Sequence, residues 1–167
     1  MDRYRRKIAH VAPIGLHIYA TNFIDAAGVA PDVNNSFAPA KTYLACHAIE
    51  LLLKAFLVTK GTRLKEVAQL RGHDLNGLME DAECEGLSEL IEIPSRMKAE
   101  ILKAATYYRE KVIQYPAVWE SVHCYRHWPA TEPLIDAADL LAKALYEECL
   151  HSDIKRTAGS QFQIIAA

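Results

Sequence analysis

Four side chains able to donate or accept protons recur at helical spacing in one part of the sequence: Tyr43, His47, Glu50 and Lys54. At about 100° per residue on an α-helix, they fall within a stripe roughly 60° wide. The positions around them, from 44 to 58, are almost all apolar or small. Because a surface helix normally has a much broader polar face, this pattern predicts a central helix that is packed around most of its circumference and carries one narrow polar stripe.

The ionic pair in this stripe leaves two interpretations open. Glu50 and Lys54 lie four residues apart with the acid on the N-terminal side, which is the favourable order for a salt bridge on a helix. In the first interpretation, the pair lies on an exposed strip of surface. In the second, the stripe lines a polar groove for a ligand or a dimer partner, because polar groups on a mostly buried helix need partners.

Two residues outside this helix complete the predicted ligand-binding set. His73 lies just before Asp74 and could serve as a base if a partner lies within hydrogen-bonding distance; the alternative is a packed histidine at a helix start. Arg109 lies beside Tyr107 and Tyr108, a combination suited to phosphate binding and base stacking; the alternative is a solvated basic face over core tyrosines. The predicted ligand contacts are thus Tyr43, His47, Glu50, Lys54, His73 and Arg109.

Patterns for metal binding or nucleophilic catalysis are weak. His123, Cys124 and His127 lie within five residues, but no second cysteine pair accompanies them as in structural zinc sites. We interpret this segment as a packed aromatic connector. No glycine-rich phosphate loop and no nucleophile-elbow motif occurs in the sequence. We therefore predict neither a metal nor a cofactor.

The composition is typical of one folded domain. The chain has 167 residues, of which 51% are hydrophobic and 24% are charged, and this excludes a disordered chain. The net charge of −2 gives no strong electrostatic footprint for duplex DNA. The four cysteines form no Cys-x-x-Cys pair, and neither a secretory signal nor a membrane span is evident, so we expect reduced thiols in a cytoplasmic protein that does not enter a membrane.

The hydrophobic periodicity is helical, and strand signals are nearly absent. Pro13 predicts a kink or a fresh helix start, and residues 25–37 have the composition of a loop. Further helices are predicted at 38–59, 62–70, 74–85, 94–114 and 131–151, with Tyr108 in the apolar stripe of the fourth and a tail over 152–167. The sequence therefore predicts a single all-α domain over residues 1–151, an up-and-down bundle of four to five main helices.

Charge is unevenly distributed along these helices. Residues 73–92 contain no Lys or Arg but seven acids: Asp74, Glu80, Asp81, Glu83, Glu85, Glu89 and Glu92. This segment would repel phosphates, and it suits a basic partner or another subunit. Basic residues gather instead at the N-terminus and along the predicted helix at 94–114.

The order of motifs resembles that of a known family. The segment TYLACHAIELLLKAFL at 42–57 is followed by Gly61, by Gly-His-Asp-Leu at 72–75 and by Gly-Leu at 86–87. In this order it resembles HEPN domains (higher eukaryotes and prokaryotes nucleotide-binding), whose members show an Ala-x-Glu-x-x-x-Lys-like second helix and then a His-Asp-Leu restart. The tyrosine-rich stretch at 107–116 is also similar to a helix end in some members. The likeness covers about residues 38–116.

The resemblance implies an up-and-down helical bundle, often dimeric, with a role related to RNA or nucleotides. Many members are metal-independent ribonucleases or partners of a nucleotidyltransferase. The nuclease members carry an Arg and, four to six residues later, a His near the end of the bundle. In this sequence no His follows Arg109 until His123, and Arg126 and His127 are adjacent.

We therefore predict a non-catalytic, HEPN-like module that forms a homodimer. It would associate with RNA or a nucleotide and with a protein partner of the nucleotidyltransferase type. Two alternatives stay open. One is a metal-independent ribonuclease of the toxin type, with an Arg and a His brought together across the dimer. The other is a purely structural dimerisation module, in which the polar stripe provides interface specificity.

Overall fold

The computed structural model describes residues 12–31, 37–114 and 128–165, with side chains as far as residue 156. These residues form seven helices and no β-strand: α1 (Pro13–Val29), α2 (Pro39–Thr59), α3 (Leu64–Arg71), α4 (Leu75–Cys84), α5 (Leu87–Leu90), α6 (Ser95–Arg109) and α7 (Thr131–Ile165). The predicted all-α helical class is confirmed for this part of the chain. The HEPN-like arrangement stays a prediction.

Helix α2 lies at the centre, as its sequence predicts. It packs against α1, α3, α4, α6 and α7. Its side chains Ile49, Leu52 and Phe56 are completely buried, and full burial of each such side chain contributes about 1.5–3 kcal/mol. Residues from the surrounding helices, such as Leu78 and Leu141, close the same core. The polar stripe of α2 is therefore carried by the most enclosed helix of the bundle.

Helix α2 is also the one helix among the described residues that is long and apolar enough to cross a membrane. However, 67% of its apolar window is buried inside the bundle. Burial against neighbouring helices is the usual reason for an apolar circumference in a core helix.

Two helix boundaries near the termini differ from the prediction. Helix α1 has the fresh start predicted at Pro13, but it continues to Val29 through part of the predicted loop, because Ala27 is completely buried against the core. Helix α7 continues to Ile165, beyond the helix end predicted at residue 151 and into the segment predicted as a tail. Its continuation includes an Arg156–Asp153 ion pair at 2.9 Å, a spacing that adds roughly 0.2–0.5 kcal/mol to a helix.

Helix α6 ends earlier than predicted, at Arg109 instead of residue 114. A turn follows, in which Lys111 has a φ of 58°. The short helix α5 is not predicted by the sequence. The segment with His123, Cys124 and His127, predicted as an aromatic connector, lies outside the described residues.

The turn between α3 and α4 positions the site. Gly72 has φ 50° and ψ −111°, a combination that a residue with a Cβ adopts at a considerable cost. This turn brings the carbonyl of Gly72 and the side chain of His73 against the middle of α2. The backbone conformation of Gly72 therefore places these polar groups against α2.

Candidate functional site

Glu50 is the centre of a polar cluster inside the bundle. Its side chain is 3% exposed. Lys54 Nζ donates to Oε1 at 2.5 Å, while Tyr108 OH and His73 Nδ1 donate to Oε2 at 2.5 and 2.9 Å. A buried carboxylate costs several kcal/mol unless it is paired and hydrogen bonded. These donors, from α2, α6 and the α3–α4 turn, satisfy that requirement. We call these side chains, together with His47, the Glu50 cluster.

Lys54 is also buried, with 9% of its side chain exposed. Its ammonium group also donates to the carbonyl oxygen of Gly72 at 2.8 Å, so α2 is connected directly to the α3–α4 turn. The interpretation that Glu50 and Lys54 form an exposed surface pair is therefore wrong. The polar stripe has partners, as the alternative interpretation requires, but in this chain the partners are internal.

His47 extends the cluster toward α1. Its Nδ1 lies 2.8 Å from the hydroxyl of Tyr108. Because that hydroxyl donates its single proton to Glu50, the nitrogen must be the donor in this contact. The ring of Tyr43 is nearly parallel to the imidazole of His47, with 5.8 Å between the ring centroids. The ring of Phe23 meets the same imidazole edge-on, with 4.6 Å between the centroids. Such aromatic contacts fix the orientation of the imidazole.

The protonation states follow from the environment. Burial tends to raise the pKa of Glu50, but the nearby His47 and the hydrogen bonds from Lys54, Tyr108 and His73 outweigh it and lower the pKa from 4.5 to about 2. Burial, reinforced by the charge of Glu50, raises the pKa of Tyr108 well above its usual value. At neutral pH the cluster therefore contains an ionised carboxylate and a protonated phenol, which match the donor directions above.

His73 is the member of the cluster that reaches solvent. Its side chain is 43% exposed, compared with 22% for His47. Because Nδ1 is held by Glu50, the nitrogen left to meet a ligand is Nε2, across the ring. A carboxylate that orients an imidazole through Nδ1 is the arrangement found for general bases and for hydrogen-bonding histidines in binding sites.

The structure brings five of the six predicted site residues together: Tyr43, His47, Glu50, Lys54 and His73. Arg109 is the exception. It is exposed at the end of α6, and no hydrogen bond within the described part of the chain joins it to the Glu50 cluster. Its position follows Tyr108 by one residue, and a step of about 100° around the helix directs the two side chains to different faces.

Tyr108 is the cluster residue that sequence analysis misses. The periodicity predicts that it belongs to the apolar stripe of α6, and it is 4% exposed. The signal that could have identified it is chemical: a buried tyrosine hydroxyl usually finds a partner. The periodicity of α6 places Tyr108 in the core, but it does not show which polar group lies opposite.

The thiols and the possible metal ligands of the described residues form no second cluster. Burial, together with the Glu50 charge, raises the pKa of the Cys46 thiol, and burial raises that of Cys149 to about 12, so neither is a ready nucleophile. Cys84 is exposed, and Cys124 lies outside the described residues. Within the described residues, no three His, Cys, Asp or Glu side chains are placed to hold a metal ion. The His123–His127 segment lies outside them.

Comparison with known proteins identifies no relative of this chain. No family model, no curated protein and no solved structure matches the chain. The resemblance to HEPN domains stays a prediction that rests on the motifs at 42–57, 72–75 and 86–87.

Proposed function

We propose that this chain is a non-catalytic helical module of HEPN type that binds single-stranded RNA or a nucleotide and acts together with a protein partner. The observation that carries the proposal is the half-exposed imidazole of His73, fixed by a buried carboxylate at one nitrogen. A polar group held in this way is pre-organised for a ligand and loses little conformational entropy on binding.

The partly exposed rings of Tyr43 and His73, on either side of the buried Tyr108, supply the second component of a nucleotide site. His73 meets Tyr108 edge-on at 5.6 Å, and Tyr43 lies 5.8 Å from the same tyrosine ring. Aromatic and imidazole side chains near a hydrogen-bonding group suit an unpaired base, which stacks and is contacted on its edge. In this proposal a base meets the His73 edge of the cluster.

The phosphate contact comes from outside the cluster. Lys54 cannot supply it, because Glu50 and the Gly72 carbonyl already engage its ammonium group. Arg109 is exposed one residue beyond Tyr108, on a different face of α6, so in this proposal it contacts a phosphate further along a strand whose base lies near His73. Arginine is well suited to phosphate because its guanidinium group donates two parallel hydrogen bonds.

The same arrangement favours binding over catalysis. Metal-independent cleavage of RNA requires a base, an acid and a group that stabilises charge on the phosphate. In the Glu50 cluster the single cation is neutralised by its partner carboxylate. The imidazole of His47 is enclosed by Tyr43 and Phe23.

The test is retention of labelled single-stranded RNA in EDTA across a salt series, with cleavage read in the same samples. We expect intact RNA that is retained at low salt and released as salt rises. Arg109→Ala should weaken retention and reduce the slope of log K against log salt by about 0.7, the value for one phosphate contact on a single strand. His73→Gln should weaken retention without changing that slope. Displacement by a mononucleotide would identify the nucleotide as the smaller ligand.

Arg156→Ala is the matched control, because it removes the same charge from an exposed arginine on α7. Equal loss of retention in Arg109→Ala and Arg156→Ala would show that binding is non-specific charge attraction. Intact RNA that is never retained would remove nucleic acid from the proposal.

A metal-independent ribonuclease is the second candidate, and the His73–Glu50 pair is the observation in its favour. The carboxylate holds Nδ1 at 2.9 Å, as a base for the 2′-hydroxyl would require. Cleavage in EDTA that is lost in both His73→Gln and Arg109→Ala would establish this candidate and overturn the non-catalytic proposal.

A further inference from the structure

A groove between α4–α5 and α6 lies apart from the Glu50 cluster. It consists of two adjoining cavities of about 160 and 170 Å³. Glu83 and Lys98 line both, and their ion pair at 2.5 Å lies between them. We call this surface the α4–α6 groove. Each cavity has ample room for a side chain, since one water needs only about 10–15 Å³ of such space.

One cavity of the groove has a mainly apolar lining, and the other is lined about equally by polar and apolar groups. Met79, Ile101 and Leu102 line one cavity, and Leu87 and Ile91 line the other. Leu102 is 56% exposed although it lies on a helix with a well-packed opposite face. Leu102 therefore offers apolar surface at the edge of the groove, next to the partly buried Met79.

The rim is acidic. Glu80, Glu83 and Glu92 are exposed carboxylates of the groove, and its one cation, Lys98, is already engaged by Glu83. The excess of negative charge matches the long run without Lys or Arg at residues 73–92. Such a surface attracts a basic partner and repels an acidic one.

One wall holds an unsatisfied acceptor. The side-chain oxygen Oδ1 of Asn76 is buried and has no hydrogen-bond partner in the described part of the chain. Asn76 lines the larger cavity. Buried polar atoms are nearly always paired in folded proteins, and this oxygen beside the groove is an exception.

We propose that the α4–α6 groove docks a basic amphipathic segment of a partner protein, with apolar side chains in the two cavities and Lys or Arg against Glu80 and Glu92. This inference deepens the partner half of the proposed function and rests on it. A second copy of this chain is a poorer occupant, because a symmetric contact through the same face would place like charges together.

The probe is a synthetic 14-residue peptide of Leu and Lys, with Leu at positions i, i+3, i+4 and i+7 and a fluorescent label. A control peptide keeps the Leu positions and carries Glu in place of Lys. We expect the full chain to raise the anisotropy of the Lys peptide in a saturable manner, more weakly at high salt, and to leave the Glu peptide unchanged. Equal binding of both peptides would overturn the charge argument.

Two pairs of matched variants locate the binding. Glu80→Lys should weaken binding of the Lys peptide at least tenfold. Glu147→Lys, the same change at an exposed acid of α7, should leave that binding unchanged. Leu102→Ser should weaken it severalfold, whereas Ile154→Ser, at a residue with the same 56% exposure, should not. Melting curves confirm that all four variants fold. If the α7 variants reduce the affinity for the Lys peptide as much as the groove variants do, the groove is not the docking site.

Analytical sedimentation of the wild type and of Leu102→Ser measures the oligomeric state and tests whether a second copy occupies the groove. If the chain is a dimer that Leu102→Ser converts to a monomer, while the Lys peptide fails to bind, then a second copy occupies the groove and the proposal is wrong. RNA retention and peptide binding are separate measurements on separate residues. If RNA is retained but the Lys peptide does not bind, this inference fails and the RNA proposal stands. If the Lys peptide binds but RNA is not retained, the RNA proposal fails and this inference stands.

Discussion

Two Glu–Lys pairs in this protein have the same length and different surroundings. Glu50 and Lys54 are 2.5 Å apart with side chains 3% and 9% exposed, while Glu83 and Lys98 are 2.5 Å apart with side chains 40% and 42% exposed. The distance between the charges is therefore uninformative about their roles. The two pairs differ in how much of each side chain is exposed to water and in how many protein groups form hydrogen bonds with it.

The buried pair belongs to the fold. Glu50 is bonded by donors from two helices and a turn, and removal of one partner leaves a charge in a low-dielectric interior. The exposed pair belongs to the surface. Water and salt compete for Glu83 and Lys98, so their attraction is weak and their partners can be exchanged. A rigid polar interior suits the orientation of His73, and an exchangeable exterior suits docking.

The largest effect should come from Glu50→Gln. The amide keeps the shape of the side chain but leaves the ammonium group of Lys54 buried without a counter-charge. We expect a loss of about 3–5 kcal/mol in the free energy of unfolding, measured by urea titration. A loss below 1 kcal/mol would show that the cluster is not a structural centre.

The pH dependence of stability should follow the same carboxylate. Its pKa is lowered in the folded chain from 4.5 to about 2, so its contribution is fully present above pH 4.5 and is lost as the pH falls toward 2. The size of the contribution is about 3 kcal/mol. The stability difference between the wild type and Glu50→Gln should therefore shrink between pH 4.5 and 2. A difference that stays constant over that range would contradict the lowered pKa.

Tyr108→Phe should have the next largest effect. It keeps the ring but removes the hydroxyl group, which donates a hydrogen bond to Glu50 and accepts one from His47. Hydrogen bonds to charged groups contribute about 1.5–3 kcal/mol, and we expect a loss of that size on thermal or urea unfolding. Tyr146→Phe, at a 46% exposed ring, is the control and should stay within about 0.5 kcal/mol of the wild type.

The smallest effect should come from Glu83→Gln in the α4–α6 groove. Exposed ion pairs contribute about 0–1 kcal/mol, so stability should hardly change. The Lys peptide should nevertheless bind more weakly, because the variant removes one acidic group of the rim. If Glu83→Gln destabilised the chain as much as Glu50→Gln, the contrast between the two pairs would not hold.

Much of the fold follows from the sequence, for identifiable reasons. The apolar circumference of α2 predicts its central position, and Gly61, Gly72 and Gly86 mark the ends or restarts of helices at which the chain has positive φ. The errors fall where local signals are weakest. The end of α1 depends on the burial of Ala27, and α7 extends well past residue 151.

The candidate site follows from the sequence in part. The spacing of Tyr43, His47, Glu50 and Lys54 determines that they share one face of α2, because helical geometry acts between residues close in the chain. The Gly-His-Asp sequence identifies His73 as a candidate. Neither pattern shows that His73 lies against Glu50, since the two residues are 23 positions apart.

Only the tertiary structure decided which groups meet. It placed Tyr108 of α6 against Glu50, directed Arg109 away, and buried a pair that the sequence alone allows to be exposed. Periodicity reports the face on which a residue lies, whereas the packing of α2 against α6 and the α3–α4 turn determines what lies opposite. Desolvation acts on the assembled bundle, so the sequence by itself determines the polar stripe of α2 and the tertiary structure determines its charge states and partners.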